Sequence, residues 1–228
     1  MDKEISKVKS EELDQMSEQQ HRGLLGYYNY TVILTYVGLI LGFSGITSSI
    51  KQMFRAAMLF LMSAGFCDMF DGTVAATKSR TSQEKRFGIQ IDSLCDLVCF
   101  GLLPAIFIFN IDTKSFFTSF IAGFYLLCAL IRLAYFNVSE EDRQEVSSEQ
   151  RSYYSGLPVT SIALILPTTY LVYIKMLPQA VALFPIVLGV TGTLFLTPFR
   201  MKKPHLIGKV VMVVLGIGLL ALMLVGAC

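Results

Sequence analysis

Long apolar segments constrain the fold of this chain more than any other feature. Each is long enough, or almost long enough, to cross the hydrocarbon core of a bilayer as an α-helix, which satisfies its backbone hydrogen bonds internally. Only 16% of the residues are charged and 54% are hydrophobic, which excludes an ordinary soluble domain, where about a quarter are charged. We therefore predict an all-α fold, a polytopic integral membrane helical bundle with six to seven transmembrane helices. The segments cover about residues 27–49, 53–77, 87–110, 115–137, 157–177, 180–198 and 205–227.

The polar parts of the chain lie mainly at its start and after the fourth apolar segment. Residues 1–26 are polar and mixed in charge, so we expect either an interfacial helix or a loosely docked segment. This lead lacks the pattern of a signal peptide, and we expect the first span to act as the insertion signal. Residues 138–155 are hydrophilic and are expected to form a cytoplasmic loop. The last two apolar segments form either two spans or a looser hairpin.

The distribution of lysine and arginine predicts the orientation in the membrane. With the N-terminus inside, thirteen of the nineteen Lys and Arg residues fall on the cytoplasmic side, and the opposite orientation would reverse the bias. We expect the cytoplasmic membrane of a bacterium, with the N-terminus in the cytoplasm. The net charge of +2 comes without a basic array, so no nucleic-acid partner is expected. The residues left in outside loops are Lys51, Arg55, Lys114 and Lys175.

Four aspartates interrupt the second and third apolar segments. Asp68 and Asp71 are three residues apart, and Asp92 and Asp96 are four apart, so each pair lies on one helix face. A charge in hydrocarbon costs about 2.5 to more than 10 kcal/mol, which makes a functional use the first explanation. Carboxylate oxygens suit a hard divalent cation such as Mg2+ or Mn2+. The alternative, a helix cap or a partner for a buried cation, is disfavoured because no Lys or Arg shares their turns.

Small residues accompany both aspartate pairs. Gly72 and Ala75 continue the helix face of Asp68 and Asp71, and Gly88 lies one turn before Asp92. Close helix packing is one explanation for such residues. Beside carboxylates that hold metal ions, they also leave room for a substrate group to approach the backbone. The cysteines lie in apolar surroundings without a C-x-x-C pair, so we expect small buried residues rather than disulfides or zinc ligands.

The spacing of these residues resembles the signature of the CDP-alcohol phosphotransferases, D-x-x-D-G-x-x-A-R followed by G-x-x-x-D-x-x-x-D. Residues 131–137 (IRLAYFN) also resemble the R-L-A-R-F-N segment of the phosphatidylserine synthase branch. Residues 153–158 (YYSGLP) resemble its F-x-G-L-P element. The matching positions of the signature are Asp68, Asp71, Gly72, Ala75, Gly88, Asp92 and Asp96.

The resemblance implies an enzyme of phospholipid biosynthesis, with residues 27–228 as its transmembrane catalytic domain. Such a transferase moves a phosphatidyl group from CDP-diacylglycerol to L-serine and releases CMP. Two divalent ions, Mg2+ or Mn2+, would be held by Asp68, Asp71 and Asp92, with Asp96 sharing ligation and acting as general base. Gly72 and Ala75 would border the cytidine diphosphate. Membrane lipid and a second copy of the chain, in a homodimer, are the expected partners.

Several polar or small residues outside the signature are further substrate-binding candidates. Arg132 lies in an apolar run, and we expect it to bind the serine carboxylate or a substrate phosphate with the help of Asn137. The alternative is a structural partner for a buried aspartate or a helix end. Thr31, at the start of the first span, would reach the nucleotide, and Gly156 belongs to the G-L-P element.

Two positions depart from the family pattern. Ala76 and Tyr135 stand where the family has arginine, and the interval from residue 76 to Gly88 is longer than usual. Each lost cation removes a charge-assisted hydrogen bond worth about 1.5–3 kcal/mol from the anion-binding region. Four nearby residues could supply a cation in place of the arginine missing at position 76, namely Lys78, Arg80, Lys85 and Arg86.

Other functions remain as alternatives at this point. Within the family, the acceptor would be glycerol phosphate or an inositol phosphate, although these anionic acceptors call for more cations than this chain offers. An ion transporter also uses intramembrane carboxylates, but it would spread them along a pathway and often repeat them in two related halves. A catalytically silent family member is the third alternative, suggested by Ala76.

Overall fold

A computed structural model of the chain describes residues 26–28, 30–75, 77–112, 115–146, 153–202 and 206–225, which fold mainly as α-helices. The predicted polar lead lies outside the described residues except for Gly26, so its conformation stays a prediction. A short 3-10 segment, Tyr30–Val32, leads into the first helix.

Five helical stretches in the described part of the chain are long and apolar enough to cross a membrane, and two shorter apolar helices follow. They coincide with the seven apolar segments of the sequence. The predicted all-α, polytopic membrane bundle is confirmed, and five of the predicted six to seven spans reach full length. The stretches are Tyr30–Ile50, Phe54–Ala75, Ser82–Ile111, Phe116–Asp142 and Val159–Met176, and the shorter helices are Leu183–Leu196 and Val213–Leu224.

The first two helices, α1 (Ile33–Ile50) and α2 (Phe54–Ala75), form a hairpin and pack along each other. Glycines on α1 bring the third helical stretch close to this hairpin. A Cβ added to Gly42 would lie only 3.2 Å from the Cα of Cys99. Small residues at such a contact let helix backbones approach within a membrane. The first three stretches therefore form one tightly packed unit.

The third stretch contains a change of helix type in its middle. Its three parts are α3 (Ser82–Asp96), a π-helical segment (Leu97–Leu102) and α4 (Leu103–Ile111). Pro104 has no N–H to donate to the carbonyl of Phe100, four residues earlier. The buried Tyr125 hydroxyl donates to that carbonyl instead, at 2.6 Å. A side chain of the fourth span thus bonds the backbone of the π-helical segment, at a carbonyl to which residue 104 cannot donate.

The fourth span, α5 (Phe116–Val146), is 31 residues long and continues well past its apolar part. The sequence-based prediction of a loop from residue 138 was therefore wrong for residues 138–146. Glu, Gln and Arg residues in this extension are good helix formers. The Nε2 of Gln90 on α3 donates to the Oε1 of Glu141 at 3.1 Å, which ties the extension to the bundle.

The remaining elements close the bundle on the side of α5. The 3-10 turn Val159–Ser161 leads into the fifth span, α6 (Ile162–Met176). The helix after it, α7 (Leu183–Leu196), packs along α5. Edge-to-face aromatic contacts of Phe107 with Phe184 and Tyr170 hold the core between these helices. The last elements are α8 (Leu206–Val225) and a short antiparallel pair of strands, β1 (Tyr153–Ser155) and β2 (Arg200–Lys202).

Candidate metal centre

Four aspartates meet between α2 and α3. Asp68 and Asp71 lie in the last two turns of α2, and Asp92 and Asp96 lie in the last two turns of α3. A short turn joins the two helices, so the aspartate-bearing faces oppose each other. One carboxylate oxygen from each of Asp68, Asp92 and Asp96 lies within 4.8 Å of the other two. Three carboxylates at this spacing can hold a metal ion.

Asp71 stands slightly apart from this group of three. It contacts Asp92 at hydrogen-bonding range, whereas Asp68 makes the corresponding contact with Asp96. Each aspartate of α2 therefore contacts at least one aspartate of α3. All four line the same small cavity between the helices. The structure thus brings together the four residues that the sequence singled out, as a trio with a fourth carboxylate beside it.

No basic side chain forms an ion pair with the aspartates among the residues that the structure describes. Lys78 pairs instead with Glu84 at 3.4 Å, outside the cavity. Close like charges repel each other strongly in a medium of low dielectric constant. A bound cation relieves this repulsion, and the donor set consists of carboxylate oxygens, which Mg2+ and Mn2+ prefer. The residues present therefore fit a hard divalent cation.

Thiols border the cavity but do not complete a soft-metal site. Cys67, Cys95 and Cys99 line it, and all are free cysteines. The Cys95 thiol donates to the carbonyl of Thr35, and the Cys99 thiol to that of Gly38, both at 3.3 Å. These thiols are hydrogen-bonded to the backbone of α1. Among the described residues, Cys67, Cys95, Cys99 and Cys128 are free thiols.

The small residues near the aspartates have different surroundings. A Cβ added to Gly72 would meet no atom within 4 Å, so the space beside Asp71 is open. A Cβ added to Gly88 would lie 3.1 Å from the Nη1 of Arg80. Ala75 is half-buried at the end of α2. Their predicted contact with a nucleotide stays a prediction, but Gly72 leaves room for one.

Sequence reasoning missed Thr160, which contacts Asp68 at hydrogen-bonding range. Thr160 lies in the 3-10 turn that follows the G-L-P element. Gly156 fixes the start of this turn, since its φ is +80° and its N–H donates to the carbonyl of Phe199 at 2.7 Å. A Cβ there would lie 2.9 Å from the carbonyl oxygen of Thr197. These contacts give Gly156 a backbone role, and the hydroxyl two residues after the proline was the available signal for Thr160.

Three other candidate residues lie outside the lining of the aspartate cavity. Arg132 is 8% exposed on α5, and Thr31 is 3% exposed just before α1. Asn137 accepts a hydrogen bond from Ser93, the neighbour of Asp92, and donates to Gln90 at 3.2 Å. Both ends of its amide thus bind α3 rather than face the cavity. Substrate binding by these residues stays a prediction.

Together, the spans and the cavity define a polytopic membrane protein with a cluster of carboxylates inside its helical bundle. Comparison with known families identifies which of these proteins the chain belongs with. The sequence model of the CDP-alcohol phosphatidyltransferase family matches residues 28–196, and the chain belongs to this family.

Several relatives in this family carry related names. The chain is 37% identical over 149 residues to the CDP-diacylglycerol–serine O-phosphatidyltransferase of Saccharomyces cerevisiae, a match that covers 60% of this chain and 53% of the yeast protein. It is 26% identical over 180 residues to the Bacillus subtilis protein of the same name, covering 78% and 91% of the two chains. It is 29% identical over 140 residues to the archaetidylserine synthase of Methanothermobacter thermautotrophicus, covering 61% and 56%.

The chain thus spans about half the length of the yeast and archaeal relatives and nearly all of the Bacillus protein. No solved structure matches it.

Proposed function

We propose that this protein transfers a phosphatidyl group from CDP-diacylglycerol to L-serine, giving phosphatidylserine and CMP. The observation that carries the proposal is the trio of Asp68, Asp92 and Asp96 within 4.8 Å in a member of this family. The names of the yeast and Bacillus relatives support serine as the acceptor. Substrate tails in lipid and a headgroup in water suit a site that is half-buried between two spans.

The proposed cofactors are two divalent ions, Mg2+ or Mn2+. Asp68, Asp71 and Asp92 would hold them, and Asp96 would share in the ligation. When bound, divalent ions neutralise the diphosphate and stabilise the charge that develops on the departing CMP. Asp68 and Asp71 of α2 lie opposite Asp92 and Asp96 of α3, which offers carboxylates on both sides of the cavity.

In the proposed reaction, Asp96 acts as the general base. Its carboxylate accepts the proton of the serine hydroxyl as that oxygen attacks the phosphorus that bears the diacylglycerol. A new O–P bond forms, the P–O bond of the diphosphate breaks, and CMP leaves with the electron pair. Thr160 contacts Asp68 and would hold that carboxylate in place.

The remaining predicted residues would bind the substrates around this centre. Gly72, Ala75 and Gly88 border the proposed path of the cytidine diphosphate. Arg132 and Asn137 would act on the acceptor side, directly or through the position of α3. We further propose that the aspartate-bearing end of the bundle opens to the cytoplasm, which fits the bias of Lys and Arg, and that the protein works as a homodimer.

The reaction is tested with purified protein, CDP-diacylglycerol, Mg2+ or Mn2+, and a panel of alcohols, by following CMP release. We expect CMP with serine but not with glycerol phosphate or an inositol phosphate. Asp96→Asn should lower the rate by at least about a hundredfold, since general-base catalysis contributes about that much or more. Asp142→Asn, at an exposed position on the extension of α5, is the matched control. CMP release with another alcohol in place of serine would refute the acceptor, and none with any alcohol would refute the reaction.

A further inference from the structure

Arg80 lies in the short connection between α2 and α3 and has unusual surroundings for a cation. It is half-buried, yet it makes no hydrogen bond or ion pair among the described residues. Its neighbours in the connection have partners, because Lys78 pairs with Glu84 and Thr81 caps α3. The Thr81 hydroxyl accepts from the N–H of Glu84 at 3.2 Å, and Glu84 in turn accepts from the N–H of Thr81 at 2.9 Å. This capping box fixes the backbone directly after Arg80.

The guanidinium of Arg80 lies against α3 at Gly88. Its Nη1 is 3.1 Å from the position that a Cβ on Gly88 would occupy. Gly88 is four residues before Asp92 and therefore on the same helix face. Cβ positions four residues apart are separated by about 5–6 Å, so the guanidinium lies no more than about 9 Å from the Cβ of Asp92.

This placement points to an anionic ligand that extends from the aspartate cavity toward the connection. The aspartates themselves do not use the cation, since no ion pair joins them to Arg80. A guanidinium binds phosphate oxygens through two parallel hydrogen bonds, and it loses less hydration than an ammonium group when it does so. A diphosphate with one end at the carboxylates and its metal ions would reach it, and Gly88 keeps the path free of a side chain.

We infer that Arg80 binds a phosphate of the nucleoside diphosphate portion of the liponucleotide substrate. This inference rests on the proposed function, which supplies such a substrate. Of the four basic residues near the start of α3, Lys78 is already paired. Lys85 and Arg86 are exposed, and six residues of helix place Arg86 about 120° away from Asp92. Arg80 is the cation of this group that is half-buried beside Gly88.

The test compares Arg80→Ala and Arg80→Lys with Arg86→Ala as a control of the same charge on the same part of the chain. Binding of CDP, which needs no acceptor and no lipid tail, is measured with Mn2+ present by thermal shift or calorimetry. Steady-state kinetics then give the KM for CDP-diacylglycerol and for serine separately. Melting temperatures without nucleotide report on the fold.

We expect Arg80→Ala to weaken CDP binding and to raise the KM for CDP-diacylglycerol about tenfold or more, the range of a lost charge-assisted hydrogen bond. The KM for serine and the melting temperature without nucleotide should stay within about twofold and within about a degree of the wild-type values. Arg80→Lys should recover part of the affinity, because it keeps the charge but loses the bidentate geometry. Arg86→Ala should behave as wild type.

Unchanged CDP binding in Arg80→Ala would overturn the inference, as would a rise in the serine KM alone, which would assign Arg80 to the acceptor. An equal loss in Arg86→Ala would show a general charge effect and would overturn it too. Failure of the proposed function looks different. In that case the wild-type protein releases no CMP with serine, whereas the dependence of CDP binding on Arg80 is still measured.

Discussion

The hydrogen bond from Tyr125 to the carbonyl of Phe100 is expected to stabilise the bundle, and Tyr125→Phe removes it alone. Tyr125 is fully buried, and its hydroxyl donates to that carbonyl at 2.6 Å. The ring would stay in contact with Phe195, whose centroid is 5.6 Å away, so packing changes little. What is lost is the hydroxyl donor to the buried carbonyl of Phe100, to which Pro104 cannot donate because it has no N–H. Leaving a buried acceptor without a partner costs about 1–3 kcal/mol.

A double-mutant cycle tests whether proline is the cause. Pro104→Ala supplies an N–H four residues after Phe100, which is the α-helical donor to the same carbonyl, whereas the π-helical bond from Leu103 to the carbonyl of Val98 runs five residues back. In that background Tyr125→Phe should cost about 1 kcal/mol less than in the wild-type protein, a coupling measurable by the cycle. Unfolding in detergent, followed by intrinsic fluorescence over temperature or denaturant, gives the free energies.

Tyr135→Phe is the matched control, because Tyr135 lies on the same helix but is 60% exposed. We expect no change in stability from it beyond about 0.5 kcal/mol. The reasoning would be refuted if Tyr125→Phe cost the same free energy in the Pro104→Ala background as in the wild-type protein. It would also fail if Tyr125→Phe were as harmless as Tyr135→Phe.

Two further predictions concern the aspartate cavity. Adding Mn2+ to metal-stripped protein should raise its melting temperature, because a concentration of about a hundred times Kd stabilises the folded state by about 2.7 kcal/mol. Asp92→Asn should abolish most of this rise, whereas the control Asp142→Asn should keep it. An undiminished rise in Asp92→Asn would argue against ligation by that residue. Thr160→Val should lower kcat/KM about tenfold through the lost contact with Asp68, whereas Thr168→Val, exposed and bonded within its own helix, should not. Equal kinetics in the two valine variants would remove Thr160 from the site.

The spans and the aspartate pairs could be predicted from the sequence because both follow from local patterns. Apolar length alone places a helix in a membrane, and a spacing of three or four residues alone puts Asp68 beside Asp71 and Asp92 beside Asp96 on a helix face. The connection between α2 and α3 is short, so the two faces had little freedom to separate. These features needed no knowledge of how distant helices pack.

The features that the sequence did not predict depend on contacts between distant parts of the chain. Thr160 reaches Asp68 across about ninety residues of sequence, and its place after the G-L-P element marks the hydroxyl without indicating which residue it contacts. Asn137 looked like a substrate ligand because of its motif, but its amide is bonded to Ser93 and Gln90. The helical extension of α5 was hidden by its polar composition, which suits an exposed helix as well as a loop.

All four carboxylates of the site come from residues 68–96, a single helical hairpin. Closing such a short loop costs little chain entropy compared with joining distant segments. The four aspartates are therefore close together in sequence, and they can assemble once the third span has formed. The later part of the chain contributes Thr160, which contacts Asp68, so a substitution in the last third of the chain alters how one aspartate is held while all four carboxylates keep their places on the hairpin.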